Sequence, residues 1–280
     1  EGVLAIKYRH ICEDGHVLGG PFYYIEKGMG KRWKWLAKLF AFFGMCVGLF
    51  GIGTFTQVNG ISSAVKNFFD ADSRHTVNLF GAEYSYTVII AGVIVAVCVA
   101  LVILGGLGRI AQVSQVVVPF MAIIYVAFCV LLLGFNYQAI PNALAAIVEG
   151  AFNPQAATGG VIGATIKEAM RYGVARGLFS NEAGLGSTPH AHAVAKVQFP
   201  AQQGLVAIVG LFIDTFVVLN MTAFVIFTTG VLDGRTTGIE LAQKAFVSGF
   251  GSFGLAFVAI CLFFFAFSTI LGWNLFGKIN

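Results

Sequence analysis

The stretch Gly177-Leu178-Phe179-Ser180-Asn181-Glu182-Ala183-Gly184-Leu185-Gly186-Ser187 decides how this chain is read. It sets three glycines, two serines, an asparagine and a carboxylate inside a chain otherwise made of long apolar runs. Irregular polar backbone survives in a bilayer only where protein covers it or where it lines a cavity. A break of this kind between hydrophobic segments is where a transporter holds a small polar solute or an ion.

Working outward, 58% of the 280 residues are hydrophobic and only 11% are charged. A soluble domain carries roughly 25% charged residues. Nearly charge-free runs recur at Leu39–Ile52, Tyr86–Leu107, Val116–Phe135, Gly204–Gly230 and Gly251–Phe276. Several approach or exceed the roughly 20 residues that cross the hydrocarbon core as helix. They are apolar on both parities, whereas a membrane barrel alternates with period two. The sequence therefore predicts an all-α polytopic membrane protein. Five cysteines, four of them within apolar stretches, form no CxxC or Cys/His cluster and read as small buried hydrophobes.

The formal net charge of +4 is informative by position. Lys7, Arg9, Lys27, Lys31, Arg32, Lys34 and Lys38 crowd around one loop with Trp33 and Trp35. Cytoplasmic loops collect Lys and Arg, and tryptophan settles at headgroup level, so the loop spanning 7–38 is placed in the cytoplasm. Basic residues beside spanning helices argue against a nucleic-acid surface. From that anchor, a helix around Trp35–Val65 runs outward and Asp70–Tyr84 forms an outer loop. Tyr86–Leu107 returns to a Gly-rich turn bearing Arg109, and Val116–Phe135 runs outward with Pro119 near its start. Asn136–Thr158 reads as an outer connection, and Gly159–Val197 returns inward through the break. Leu205–Thr229 then runs out, Leu232–Gly249 lies outside, and Phe253–Phe276 comes back to Lys278. At the other end, Gly2–Ile6 reads as the last turns of a helix, and no signal peptide is visible.

Lys167, Glu168, Arg171 and Arg176 make the first half of Gly159–Val197 too polar for a lipid-facing span. One reading is a helix in an aqueous vestibule, with Glu168 paired to Arg171. The sharper one is a half-helix that stops at Gly177 and turns its free carbonyls toward a cation. A second half-helix from near Gly186 would then offer N–H groups to an anion. Two ends of opposite sign suit a zwitterion.

Three blocks carry a resemblance: Gly19-Gly20-Pro21-Phe22-Tyr23-Tyr24-Ile25-Glu26-Lys27-Gly28, Gly177–Ser187, and Phe267-Ser268-Thr269-Ile270-Leu271-Gly272-Trp273. Together they resemble the alanine or glycine:cation symporter family of sodium-coupled amino-acid carriers, in register over essentially the whole chain. The resemblance implies a five-plus-five inverted-repeat fold with a broken helix near 177–187. On that template 1–280 is one transmembrane transporter domain, a fragment running from the end of the second core helix into the eighth. It also implies sodium as coupling ion, a small neutral amino acid (alanine or glycine) as substrate, and alternating access in the cell membrane.

The resemblance places Gln57 in the substrate pocket, with Gly53 allowing close approach. Thr54 stands where many members carry asparagine. Thr269 would touch substrate and Trp273 would limit its size, while Ser268 and Thr269 suit a sodium site. The plain alternatives are interhelical amide bonds for Gln57 and back-bonding to the preceding turn for the hydroxyls. Ser180 and Asn181, inside the break, are expected to contact substrate or ion. Asp214 is the single carboxylate of Leu205–Thr229 and must be compensated there. It would help bind the cation, pair with a base such as Arg176, or be protonated. Enzyme readings fail: Gly186-Ser187 with His190 suggests a membrane protease, but no general base is in view. The remaining rivals to sodium symport are a proton-coupled carrier, a passive carrier and a channel.

Overall fold

A chain in lipid must satisfy every backbone N–H and C=O internally. The computed structural model does so with helices; it describes residues 1–13, 15, 17–72, 74–79, 81–152, 166–182 and 184–279. Among the described residues, five helical stretches are long and apolar enough to cross a membrane: Lys31–Phe69, Tyr86–Ile103, Gly108–Phe135, Pro200–Thr228 and Ser252–Ile279. Each overlaps one of the apolar runs read from the sequence. Sheet among the described residues is confined to two short antiparallel pairs, His10–Ile11 with Val17–Leu18 and Thr76–Leu79 with Ala82–Ser85. The protein is an all-α polytopic membrane protein.

The chain divides into two compact units. The first comprises residues 1–55, 174–216 and 270–280. It holds α1 (Gly2–Tyr8), α2 (Pro21–Met29), α3 (Lys34–Leu49) and the first turn of α4 (Ile52–Phe69). Close approach at small residues holds it together, as expected where lipid removes the hydrophobic drive between helices. A Cβ on Gly2 would lie 3.2 Å from the Gln203 carbonyl, and one on Gly48 would lie 2.7 Å from the Gly277 Cα. The Arg9 guanidinium donates to the carbonyls of Ala193 (3.0 Å) and Ala195 (2.8 Å), satisfying the exposed end of the short helix Thr188–Ala193.

The second unit comprises residues 56–173 and 217–269. It includes α5 (Tyr86–Ile103), α6 (Gly106–Phe135) and α7 (Ile140–Phe152). Its core is a cluster of Tyr125, Cys129, Leu132, Val225, Phe246, Phe257 and their neighbours. The Phe246 ring lies 5.2 Å from Phe257 and 5.9 Å from Tyr125. The Tyr125 hydroxyl reaches Thr222 Oγ1 at 2.7 Å, so its polar end is spent inside the core. Beyond α4, Asp70 accepts the Ser85 hydroxyl at 2.6 Å and the Arg74 N–H at 2.9 Å. Ser85 also caps α5 by accepting from Thr87 N–H. The Ser85 hydrogen bond is the main reason the Asp70 carboxyl titrates below the usual range.

Several boundaries differ from the sequence reading. The helix expected over Trp35–Val65 is interrupted at Phe50–Gly51, where Gly51 takes φ +63°. The segment read as an outer connection, Asn136–Thr158, holds helix α7, and Leu232–Gly249 overlaps a further helix, α12 (Gly238–Phe250). Arg109 lies on the first turn of α6, after the glycine turn. The Glu168 side chain of the expected Glu168–Arg171 pair and the part of Asn136–Thr158 beyond 152 lie outside what the structure describes.

Candidate functional site

The polar segment is built from α8 (Ile166–Asn181), a non-helical stretch, and α9 (Thr188–Ala193). The break lies four residues later than expected. Helix α8 runs through Gly177 to Asn181, and the Asn181 amide donates to the Gly177 carbonyl at 3.3 Å. The free carbonyl end proposed at Gly177 is thus covered by a local side chain. The chain then turns through three left-handed residues, Glu182 (φ +49°), Gly184 (+84°) and Gly186 (+84°). Two glycines adopt that conformation without strain; Glu182 is the single non-glycine residue with positive φ among the described residues.

Glu182 turns back on Ser187, whose hydroxyl donates to its carboxylate at 2.5 Å. The Gly186 N–H, at the point where N–H groups were expected to meet an anion, and the neighbouring Thr188 hydroxyl both go to the Glu1 carboxylate, at 3.2 and 2.9 Å. The anion end of the break is therefore filled by this chain's own carboxylate.

The cation end is better defined. After α10 (Pro200–Phe212), the span continues as a π-helix over Ile213–Leu219 before α11 (Asn220–Thr228). Such wide turns concentrate at functional sites. The turn places Asp214 where Ser180 donates to its carboxylate at 2.8 Å. The next residue, Thr215, donates to Asn181 Oδ1 at 3.0 Å. A carboxylate, an amide oxygen and two hydroxyls thus meet in one place, the donor set of a hard cation. Ser180, Asn181 and Asp214 line a cavity of about 980 Å³ together with Thr188, His192 and the apolar face of α10. The sequence reading named Ser180, Asn181 and Asp214 singly and missed Thr215; an Asp-Thr pair within an apolar span was the available signal.

Two further groups of expected residues sit on the long helices α4 and α13 (Ser252–Ile279). In the first unit, Gly53 lies under the Trp273 indole. A Cβ added at Gly53 would fall 2.2 Å from Nε1 and Cε2, so only glycine fits. Among the described residues, Trp273 Nε1 is buried without a hydrogen-bond partner, a state that costs about 1–3 kcal/mol. In the second unit, Ser268 and Thr269 both donate to the Phe265 carbonyl, at 2.8 and 3.0 Å. That is the back-bonding alternative, and it leaves each oxygen able to accept or to ligate a cation. Gln57 is half-buried on α4. Helical spacing puts it on the same side of α4 as Gly53, four residues earlier, and puts Thr269 on the same side of α13 as Trp273.

Comparison with known proteins identifies the family. The profile of the sodium:alanine symporter family matches residues 1–280. An uncharacterized transporter of Haemophilus influenzae is 45% identical over 280 residues, covering 99% of this chain and 58% of the relative. The sodium/alanine symporter AgcS of Methanococcus maripaludis is 40% identical over 284 residues, with coverage of 99% and 58%. A Bacillus subtilis protein named as a putative sodium/proton-dependent alanine carrier, YrbD, is 36% identical over 294 residues, with coverage of 100% and 56%. The chain thus spans little more than half the length of these relatives. With every residue of the chain matched, it belongs to the sodium:alanine symporter family.

Proposed function

We propose that the protein is a secondary carrier, not an enzyme, that moves a small neutral amino acid, alanine or glycine, together with sodium by alternating access. The match of all 280 residues to the family carries this reading, and a relative named as a sodium/alanine symporter supports its substrate and ion. Residues 1–280 serve as one part of a transporter domain of the five-plus-five inverted-repeat type. The protein works in the cell membrane with the basic loop 7–38 in the cytoplasm, in line with the clustering of Lys and Arg.

In this reading Gln57, Thr269, Gly53 and Trp273 contact the amino acid. The unspent Trp273 N–H supports the assignment, because a substrate oxygen would satisfy it. Gly53 sets how near the indole can come to the helix and so how small the side-chain space is. Ser268 and Thr269 supply hydroxyl oxygens to sodium. Asp214 with Ser180 and Asn181 forms a second polar locus for the ion or for the substrate ammonium group. No cofactor is required; the sodium gradient drives uptake. Proton coupling is the second reading, favoured by the relative named as sodium/proton-dependent.

The test is uptake of labelled alanine by the intact protein in proteoliposomes, with and without an inward sodium gradient, beside Gln57→Ala and Thr269→Ala. Sodium-driven uptake that falls at least tenfold in both variants supports the reading, a loss of about 1.4 kcal/mol or more. Uptake that follows a proton gradient and ignores sodium supports the second reading. Absence of uptake for every small neutral amino acid contradicts both.

A further inference from the structure

The corner where α2 passes into α3 carries a surface that the transport reading does not use. Trp33 and Trp35 are exposed, and their rings stack at 6.4 Å with 25° between planes. Around them, Lys31, Arg32 and Lys38 are exposed too. Lys34 is neutralised by Glu26 at 2.9 Å. Among the described residues, no carboxylate lies within the 4.0 Å ion-pair distance of Lys31, Arg32 or Lys38. Three unneutralised cations beside two exposed indoles make an anionic surface the complementary partner.

The helix below this corner narrows the choice of anion. Trp35, Phe42 and Leu49 follow one another at intervals of seven residues and are 60%, 54% and 77% exposed. They form one stripe, descending roughly 10 Å per step. A charged headgroup position above a continuous apolar track has the dimensions of a phospholipid, and a free phosphate would use only its upper part. The opposite side of α3 faces inward. Ala37 is buried there, and a Cβ on Gly186 would lie 2.8 Å from the Phe40 ring. The same helix thus presents one side outward and touches the polar break with the other.

We propose that this corner is a binding site for an anionic phospholipid, its headgroup held by Lys31, Arg32 and Lys38 and its acyl chain laid along Trp35, Phe42 and Leu49. Each basic residue near a charged leaflet contributes a factor on the order of five. Three give on the order of a hundredfold preference for phosphatidylglycerol over phosphatidylcholine at low salt, declining as salt screens it. Resting on the proposed carrier function, a second consequence is faster uptake in bilayers that contain the anionic lipid, since α3 bears on Gly186.

Binding can be read without transport. The intact protein is placed in phosphatidylcholine vesicles doped with brominated phosphatidylglycerol or brominated phosphatidylcholine, and tryptophan quenching is recorded. Trp33→Phe/Trp35→Phe supplies the background from the remaining tryptophans, Trp273 among them. Stronger quenching by the brominated anionic lipid supports the site, provided that Lys31→Gln/Arg32→Gln/Lys38→Gln abolishes the preference and Lys31→Arg/Lys38→Arg keeps it. Equal quenching by the two lipids in the parent overturns it. So does relief of the quenching by soluble glycerol phosphate, which would make the site a plain anion site. A lipid preference without any effect on uptake keeps the site and removes its link to transport; absent uptake in every lipid bears on the carrier reading alone.

Discussion

In the unit of residues 1–55, 174–216 and 270–280, elements meet at glycine; in the unit of residues 56–173 and 217–269, aromatic rings fill the space. Gly48 meets the backbone of Gly277, Gly53 lies under Trp273, and Gly186 nests against Phe40 and Pro21. The second unit instead stacks Phe246, Phe257, Phe128 and Phe250 around Tyr125 and Cys129, with Gly254 pressed to the Phe246 backbone. Ring-filled cores have one good packing and resist displacement. Contacts between bare backbones are short and smooth, and they hold only while no Cβ intrudes. The first unit also carries the left-handed break and the Ser180–Asp214 locus, so low resistance and polar chemistry coincide there.

The comparison is broken most severely by emptying the ring core. Phe246→Ala leaves a cavity among buried neighbours and is expected to cost about 3–5 kcal/mol. Thermal unfolding of the detergent-solubilised protein measures it; a loss under 1 kcal/mol would mean the core is not what holds the second unit. Next comes Gly53→Ala, where the new methyl must displace the Trp273 indole at an expected cost of about 1–3 kcal/mol. Gly92→Ala, with open space around its Cβ, is the control and should be neutral or slightly stabilising by helix propensity. Equal effects at the two positions would remove the claim that Gly53 is shaped to the indole.

A smaller effect sharpens the contrast through pH. The Asp70 carboxyl is held below its ordinary value, first by the Ser85 hydroxyl. Its contribution is present above the ordinary aspartate value and fades as pH falls through the lowered one. Ser85→Ala should shift that fade to higher pH, and an unchanged profile would remove Ser85 as the cause.

The spans were legible because crossing lipid is a property of local length and apolarity, as Tyr86–Ile103 and Pro200–Thr228 illustrate. Helix α7 was missed because Pro141 and its surroundings read as loop signals, whereas proline in a first turn is favourable to helix. The break was legible from its glycines, but its start was misplaced: Asn181, itself a loop-favouring residue, caps Gly177 and extends the helix. Ser180 meets Asp214 across 34 positions of sequence, a tertiary fact with no local signature. Nor could spacing reveal that Gly186 and Thr188 are satisfied by Glu1.

The most direct test of the account is equilibrium binding of labelled alanine to the purified intact protein, with sodium and with sodium replaced by choline, in the parent and in Gly53→Ala. The account predicts binding that requires sodium in the parent and falls at least tenfold in Gly53→Ala while the folded protein persists. Alanine binding indifferent to sodium, or undiminished by a methyl under Trp273, would contradict it.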